Sequence, residues 1–225
     1  MTQSIAEQSV EELGGTGSIL TRQRRDHAEL DRLMALYESG HGTREERQGT
    51  LKDIVHLTFS HAFAEETVLW PALRRLASDG DELTARVEDE HQRINDLVTE
   101  MERIGPDDPR HDELAAEAFA LIRQDIRDEE DLLLPRLRDL LDTARLRQLG
   151  AAWEAVRRTA PTRPHPGVPR RPPGNAVLGV PLSVFDRARD LLPAGTRVVR
   201  ARTLAVAGAC VGVAWLVAKT LRRAR

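Results

Sequence analysis

Cysteine is all but missing from this sequence. The single residue, Cys210, excludes an internal disulfide and any metal site built from several thiolates. It falls in an apolar stretch, where it is expected to be inert. Aromatic residues are scarce, at 4% of 225, whereas Ala, Leu, Arg and Glu are abundant. That balance disfavours a β-sandwich or barrel and favours helices. Lysine is nearly absent, so the positive charge rests on arginine. The first 17 residues lack the apolar core of a secretion signal, which argues against export by that route. They are polar and acidic and are expected to form a flexible leader. Their Gly14-Gly15-Thr16-Gly17 run has neither the spacing nor the lysine of a phosphate-binding loop.

The net charge of −3 conceals an asymmetry. From Thr159 onward there are 12 Arg and Lys against 2 Asp, so that stretch carries +10 and the first 158 residues carry −13. An acidic domain is repelled by a phosphate backbone, which argues against a nucleic-acid partner. The basic end suits an anionic membrane surface.

Apolar residues at helical spacing mark successive helices. The first covers Ser18 to Tyr37, with Leu30, Leu33 and Met34 on its stripe. Gly40, His41 and Gly42 break it. Thr43 and Glu46 form a capping box for the second helix. Its stripe reads Leu51, Ile54, Thr58, His61, Glu65, Val68, Ala72 and Leu76. The third is expected from about Asp81 to Ile104, with Val87, His91, Ile94 and Val98 aligned. The Gly105-to-Pro109 turn precedes the fourth, whose inner face reads Leu114, Ala118, Leu121, Asp125, Glu129, Leu132 and Leu140. A fifth, shorter helix is expected over Thr143 to Arg157.

The chain also repeats itself. A shift of 64 residues lays Asp26-His27 on Glu90-His91, His61 on Asp125, Glu65-Glu66 on Glu129-Glu130, and Leu69 and Pro71 on Leu133 and Pro135. Two similar helical hairpins pack most simply as an antiparallel, up-down four-helix bundle, an all-α fold. His61 and Glu65, and again Asp125 and Glu129, are four residues apart on one helical face. With His27 and His91 they interrupt stripes that are otherwise apolar. A buried, unpaired carboxylate costs several kcal/mol or stays protonated, and a bound cation removes that cost. Three imidazoles and three carboxylates suit iron or manganese. The competing reading is a decayed, metal-free interaction module whose polar groups pair among themselves.

The ordered set of His, then His-x-x-x-Glu, twice, each followed by Leu-x-Pro, resembles the hemerythrin-like family, or HHE cation-binding domain. The resemblance covers about residues 18–145. It implies a bundle holding two non-haem iron ions bridged by carboxylates, with His27, His61, Glu65, His91, Asp125 and Glu129 as the ligand set. Glu65 and Glu129 are then the natural bridges. It also implies a role in oxygen binding, iron storage, or sensing of oxygen, nitric oxide or redox state, with a small diatomic molecule or peroxide as ligand. Asp125 departs from the pattern, which has histidine there. Glu66 and Glu130 lie about 100° from the bridging positions and are expected to pair outside the ligand set. No dedicated acid, base or nucleophile is visible beyond the ligands, which favours sensing or handling over an oxidase or peroxidase.

The other histidines carry less. His56 lies about 140° around the helix from His61 and reads as packing or surface. His41, His111 and His165 fall in turns or linker and are expected to be solvated. Trp70 and Trp153 read as core or groove fillers. After the bundle, residues 18–158, the Pro- and Arg-rich stretch 159–196 reads as a linker. Residues 197–225 are expected to be transmembrane or membrane-associated. Thr203 to Ala218 is uncharged, about 24 Å long as a helix, and flanked by basic residues. Gly208 and Gly212 would permit a homodimer through that helix. The globular part is expected in the cytoplasm, anchored by this segment.

Overall fold

The computed structural model describes residues 3–161. The linker and the C-terminal segment, with His165 and Cys210, lie outside them. Among the described residues no helix is long and apolar enough to cross a membrane.

The described chain is all-helical. Helix α1 spans Ile19–Glu38 and starts at Ser18, whose hydroxyl accepts from the Leu20 N–H. Helix α2, Arg44–Ala64, opens with the expected Thr43/Glu46 capping box. It runs through a π-helical turn, Glu65–Leu69, into α3, Trp70–Leu76. Helix α4 is Gly80–Ile104. Helix α5, His111–Asp128, continues through a second π turn, Glu129–Leu133, into α6, Leu134–Leu140. Helix α7 is Thr143–Arg158, capped by Asp142. Short loops join α1 to α2 and α4 to α5, and each pair packs side by side as a hairpin. Helix α7 lies across α1, α2 and the first π turn.

The π turns are where the apolar stripes depart from expectation. In the first, the Trp70 N–H bonds the Glu65 carbonyl five residues back; in the second, Leu134 bonds Glu129 in the same way. Pro71 and Pro135 stand one residue beyond, where the missing N–H eases the change of ladder register. The wide turn adds a residue and rotates everything after it. Leu76, beyond the first turn, and Leu132, within the second, were expected on inner faces but are 40% and 47% exposed. Leu69 and Leu73, and Leu133 and Leu137, take the core positions instead.

Two apolar clusters result. One gathers Leu20, Leu69, Trp70, Leu73, Val87, Leu134, Leu137 and Trp153. The other gathers Leu30, Met34, Ile54, Phe59, Ile94, Val98, Phe119 and Ile122. Along α1, Leu20 belongs to the first and Leu30 to the second, with His27 between. The polar residues form a layer between two dry halves.

The N-terminal segment is folded, not a flexible leader. Ile5 and Leu13 are fully buried in the first cluster. Ser4 donates to the Glu130 carbonyl at 3.3 Å, Arg147 donates to the Gly14 carbonyl at 2.9 Å, and Arg24 donates to the Gln8 carbonyl. Gly14 and Gly15 turn at φ 90° and 88°, where a side chain would be strained. Expected in a turn, His111 is instead the buried first residue of α5, whereas His41 and His56 are exposed.

Candidate metal centre

The layer between the clusters holds all six residues expected as ligands, and all are buried. His27 comes from α1, His61 from the end of α2, His91 from α4 and Asp125 from the end of α5. Glu65 and Glu129 each open a π turn. A π turn beside a site widens the helix locally and re-aims the side chain at its start.

The two glutamates face two ways. Glu65 puts Oε1 3.0 Å from His61 Nε2 and Oε2 3.8 Å from His91 Nε2. Glu129 puts Oε2 3.1 Å from His27 Nε2 and Oε1 4.0 Å from His91 Nε2. Asp125 Oδ2 stands 3.3 Å from His91 Nε2. One group of potential donors is therefore His27, His61, Glu65 and Glu129, and a second is His91, Asp125 and Glu129.

The outer ring nitrogens fix which way the imidazoles present themselves. His27 Nδ1 is 2.8 Å from Glu130 and His91 Nδ1 is 2.9 Å from Glu66, so each donates outward to a carboxylate. Their Nε2 atoms then point into the layer, each with a lone pair for a cation once its proton leaves. His27 Nε2 and His61 Nε2 are only 3.2 Å apart. No oxygen of Glu65 or Glu129, nor Asp125 Oδ1, accepts a well-aligned hydrogen bond, although each is sealed from solvent. Converging imidazole nitrogens and carboxylate oxygens, sealed from solvent, fit a cation.

The electrostatics agree. Burial lowers the His27 pKa, but Glu129 and Glu130 outweigh it and push it up to about 9. His61 and His91 rise in the same way, driven mainly by Glu65 and by Asp125. Burial and the neighbouring Glu129 charge push Glu65 up to about 7. Burial also raises Glu129, but His27 and His61 outweigh it and hold its carboxyl far below the usual range. Burial raises Asp125, with His91 opposing. In this cluster protons do the work a metal would do, and they must leave when one binds.

The family model for the hemerythrin HHE cation-binding domain matches residues 18–137. The chain belongs to this hemerythrin family. An uncharacterized hemerythrin-like protein of Schizosaccharomyces pombe is 23% identical over 133 residues, which cover 59% of this chain and 66% of that protein. A DNA nickase of Nostoc sp. is 26% identical over 98 residues, or 44% of this chain and 27% of the nickase. The chain thus spans about two thirds of the first relative and about a quarter of the second. No solved structure matches it significantly.

Several residues around the hemerythrin centre were not assigned a role by sequence reasoning. Asp26 Oδ2 faces His61 Nδ1 at 3.7 Å, and Arg157 of α7 reaches the same oxygen at 3.4 Å. Its counterpart Glu90 is pushed up to about 7 by burial and by the Asp125 and Asp128 charges. The 64-residue repeat aligned Asp26 with Glu90, and that pairing was the only available signal. The crossing of Glu66 to His91 and of Glu130 to His27 was also unforeseen, because it joins opposite repeats. A cleft of about 690 Å³ between the N-terminal segment, α1 and α5 has His27 and Glu130 in its wall. It leads from solvent to the edge of the layer.

Proposed function

We propose that the protein holds a pair of non-haem iron ions, with manganese as the alternative metal, and uses them to sense or handle oxygen, nitric oxide or peroxide. One observation carries this reading: Glu65 and Glu129 each turn one oxygen toward the His27/His61 side and the other toward His91. That is how a carboxylate bridges two cations. His27 and His61 would complete one sub-site, and His91 and Asp125 the other. Mixed nitrogen and oxygen donors suit iron or manganese. When bound, such a pair supplies one-electron chemistry and open coordination positions for a small ligand. Glu66 and Glu130 hold the histidine tautomers, and the cleft beside His27 offers an approach. Asp125, a hard anion in place of an imidazole, favours the higher metal charge and so supports redox sensing or peroxide handling over oxygen carriage. Iron reconstitution of the purified chain should give about two metal ions per molecule, measured by elemental analysis. A value near zero would overturn the reading, and a value near one would remove the bridging role of the glutamates.

The acidic charge of residues 1–158 supports a partner other than nucleic acid. The match to the nickase covers too little of that protein to carry its activity over. The basic, partly apolar sequence beyond residue 161 supports a cytoplasmic domain tethered to an anionic membrane. Fractionation of cells expressing the full chain or residues 1–158 tests this, and identical partition of the two would overturn it.

A further inference from the structure

His61 is supported differently from the other two imidazoles. His27 and His91 each have Nδ1 held by a glutamate from the opposite repeat, at 2.8 and 2.9 Å. His61 has no such glutamate. Its Nδ1 faces Asp26 at 3.7 Å, beyond a normal hydrogen bond. Such a contact alone cannot fix the plane of the ring. The ring meets Trp153 instead, edge to face, with centroids 5.4 Å apart and planes at 82°. Trp153 is fully buried. One turn further along α7, the Arg157 guanidinium lies 5.2 Å from the Trp153 ring centroid. It also stands 3.4 Å from Asp26 Oδ2, the oxygen that faces His61. Arg25 holds the other Asp26 oxygen at 3.2 Å.

Neither Trp153 nor Arg157 lies within residues 18–137, the stretch that the family model matches. From this geometry we infer that α7 is a positioning element for the first metal sub-site, with two separable roles. Trp153 fixes the plane of His61. Arg157 draws Asp26 charge away from His61 Nδ1 and places its own positive charge near the site, so it restrains cation affinity. The inference rests on the metal-binding reading above. Both residues act through others, Trp153 through His61 and Arg157 through Asp26.

The two roles have opposite signs, which a purely structural contribution would not produce. The test is titration of the full-length chain with cobalt(II), read by its dissociation constant and visible spectrum, alongside melting temperature. Trp153→Ala should weaken the tighter cobalt site by about 10-fold, the usual scale for an outer partner of a metal ligand, and shift its spectrum. Trp153→Phe should stay near wild type. Arg157→Gln should tighten that site several-fold with a spectral shift, and Arg157→Lys should restore wild-type behaviour. A lower melting temperature with unchanged affinity and spectrum in Trp153→Ala and Arg157→Gln would overturn the inference. So would weaker binding in Arg157→Gln. If Trp153→Ala fails to fold, the arginine pair still decides the tuning role, and Trp153→Phe must then keep wild-type affinity and spectrum or the positioning role falls. A wild-type chain that takes up no cobalt fails the metal-binding reading itself, and this inference with it.

Discussion

The two halves of the centre come from the same repeated unit but differ in what they offer a metal. The first repeat contributes His61 and is covered by α7, with Trp153 and Arg157 against the ring and its carboxylate partner. At the equivalent place the second repeat contributes Asp125. Its π turn meets the N-terminal segment, through Ser4 on the Glu130 carbonyl. In one half an imidazole faces Asp26; in the other Asp125 lies near Glu90, and burial together with the Asp125 and Asp128 charges raises the Glu90 pKa. One scaffold thus gathers one donor group with two imidazoles and another with one. The repeat supplies the frame; the exchange of His61 for Asp125 within it, and the different segments packed on each half, make the halves unequal.

The largest expected effect comes from breaking the element common to both halves. Glu65→Ala removes both the oxygen beside His61 and the one that faces His91 at 3.8 Å, and should reduce bound metal from about two ions to fewer than one, measured by elemental analysis. It should also abolish the metal-dependent rise in melting temperature, because a ligand that binds only the native state stabilises it by mass action. His56→Ala, on the exposed side of α2, should change neither. Equal loss in both variants would mean that the helical face was misassigned.

The next experiment makes the halves alike. Asp125→His replaces an anion with a neutral donor, so the higher metal charge loses stabilisation. The reduction potential should rise by about 200 mV, the scale of one unit charge about 4 Å away in an effective dielectric near 20. Air oxidation should slow in stopped-flow mixing. An unchanged or lower potential would mean that Asp125 is not a ligand.

The smallest effect is a pH dependence that separates loaded from metal-free protein. Burial, outweighed by Glu129 and Glu130, leaves His27 at about 9 when no cation is bound, above the ordinary 6.5. A raised pKa means that the folded chain holds the proton more tightly than the unfolded chain. The stabilisation is complete below pH 6.5 and is lost as pH rises through 9. Glu65, raised to about 7, acts in the same sense at lower pH. Metal binding must displace these protons, so affinity climbs over the same window. Metal-free protein should therefore lose a few degrees of melting temperature between pH 6.5 and 9 while the metal-induced increment grows. Parallel curves for the two forms would contradict this proton exchange.

What could be read without coordinates was whatever follows a period. His27, His61, His91 and the three carboxylates stood out because each interrupts an apolar stripe of 3.6-residue spacing. The fold class followed from the same stripes and the 64-residue repeat. A π turn evades such reading: one added residue shifts a short stripe by a single place, and Leu76 and Leu132 look as apolar as Leu73 and Leu133. Ile5 and Leu13 lie eight residues apart in a polar segment, and their burial depends on tertiary partners that no local pattern reveals. Trp153 was readable as a large residue needing cover, but not as a neighbour of His61 from nearly a hundred residues away.

The π turns also say something about descent. A wide turn amounts to a one-residue insertion in a helix. This chain carries two, at Glu65–Leu69 and Glu129–Leu133, which coincide under the 64-residue shift and are each followed by proline. Two independent insertions at the same place are a less economical history than one insertion copied once. On that account the ancestral hairpin was already distorted before it was doubled. Two such hairpins, paired as a symmetric dimer, would have met at their glutamates.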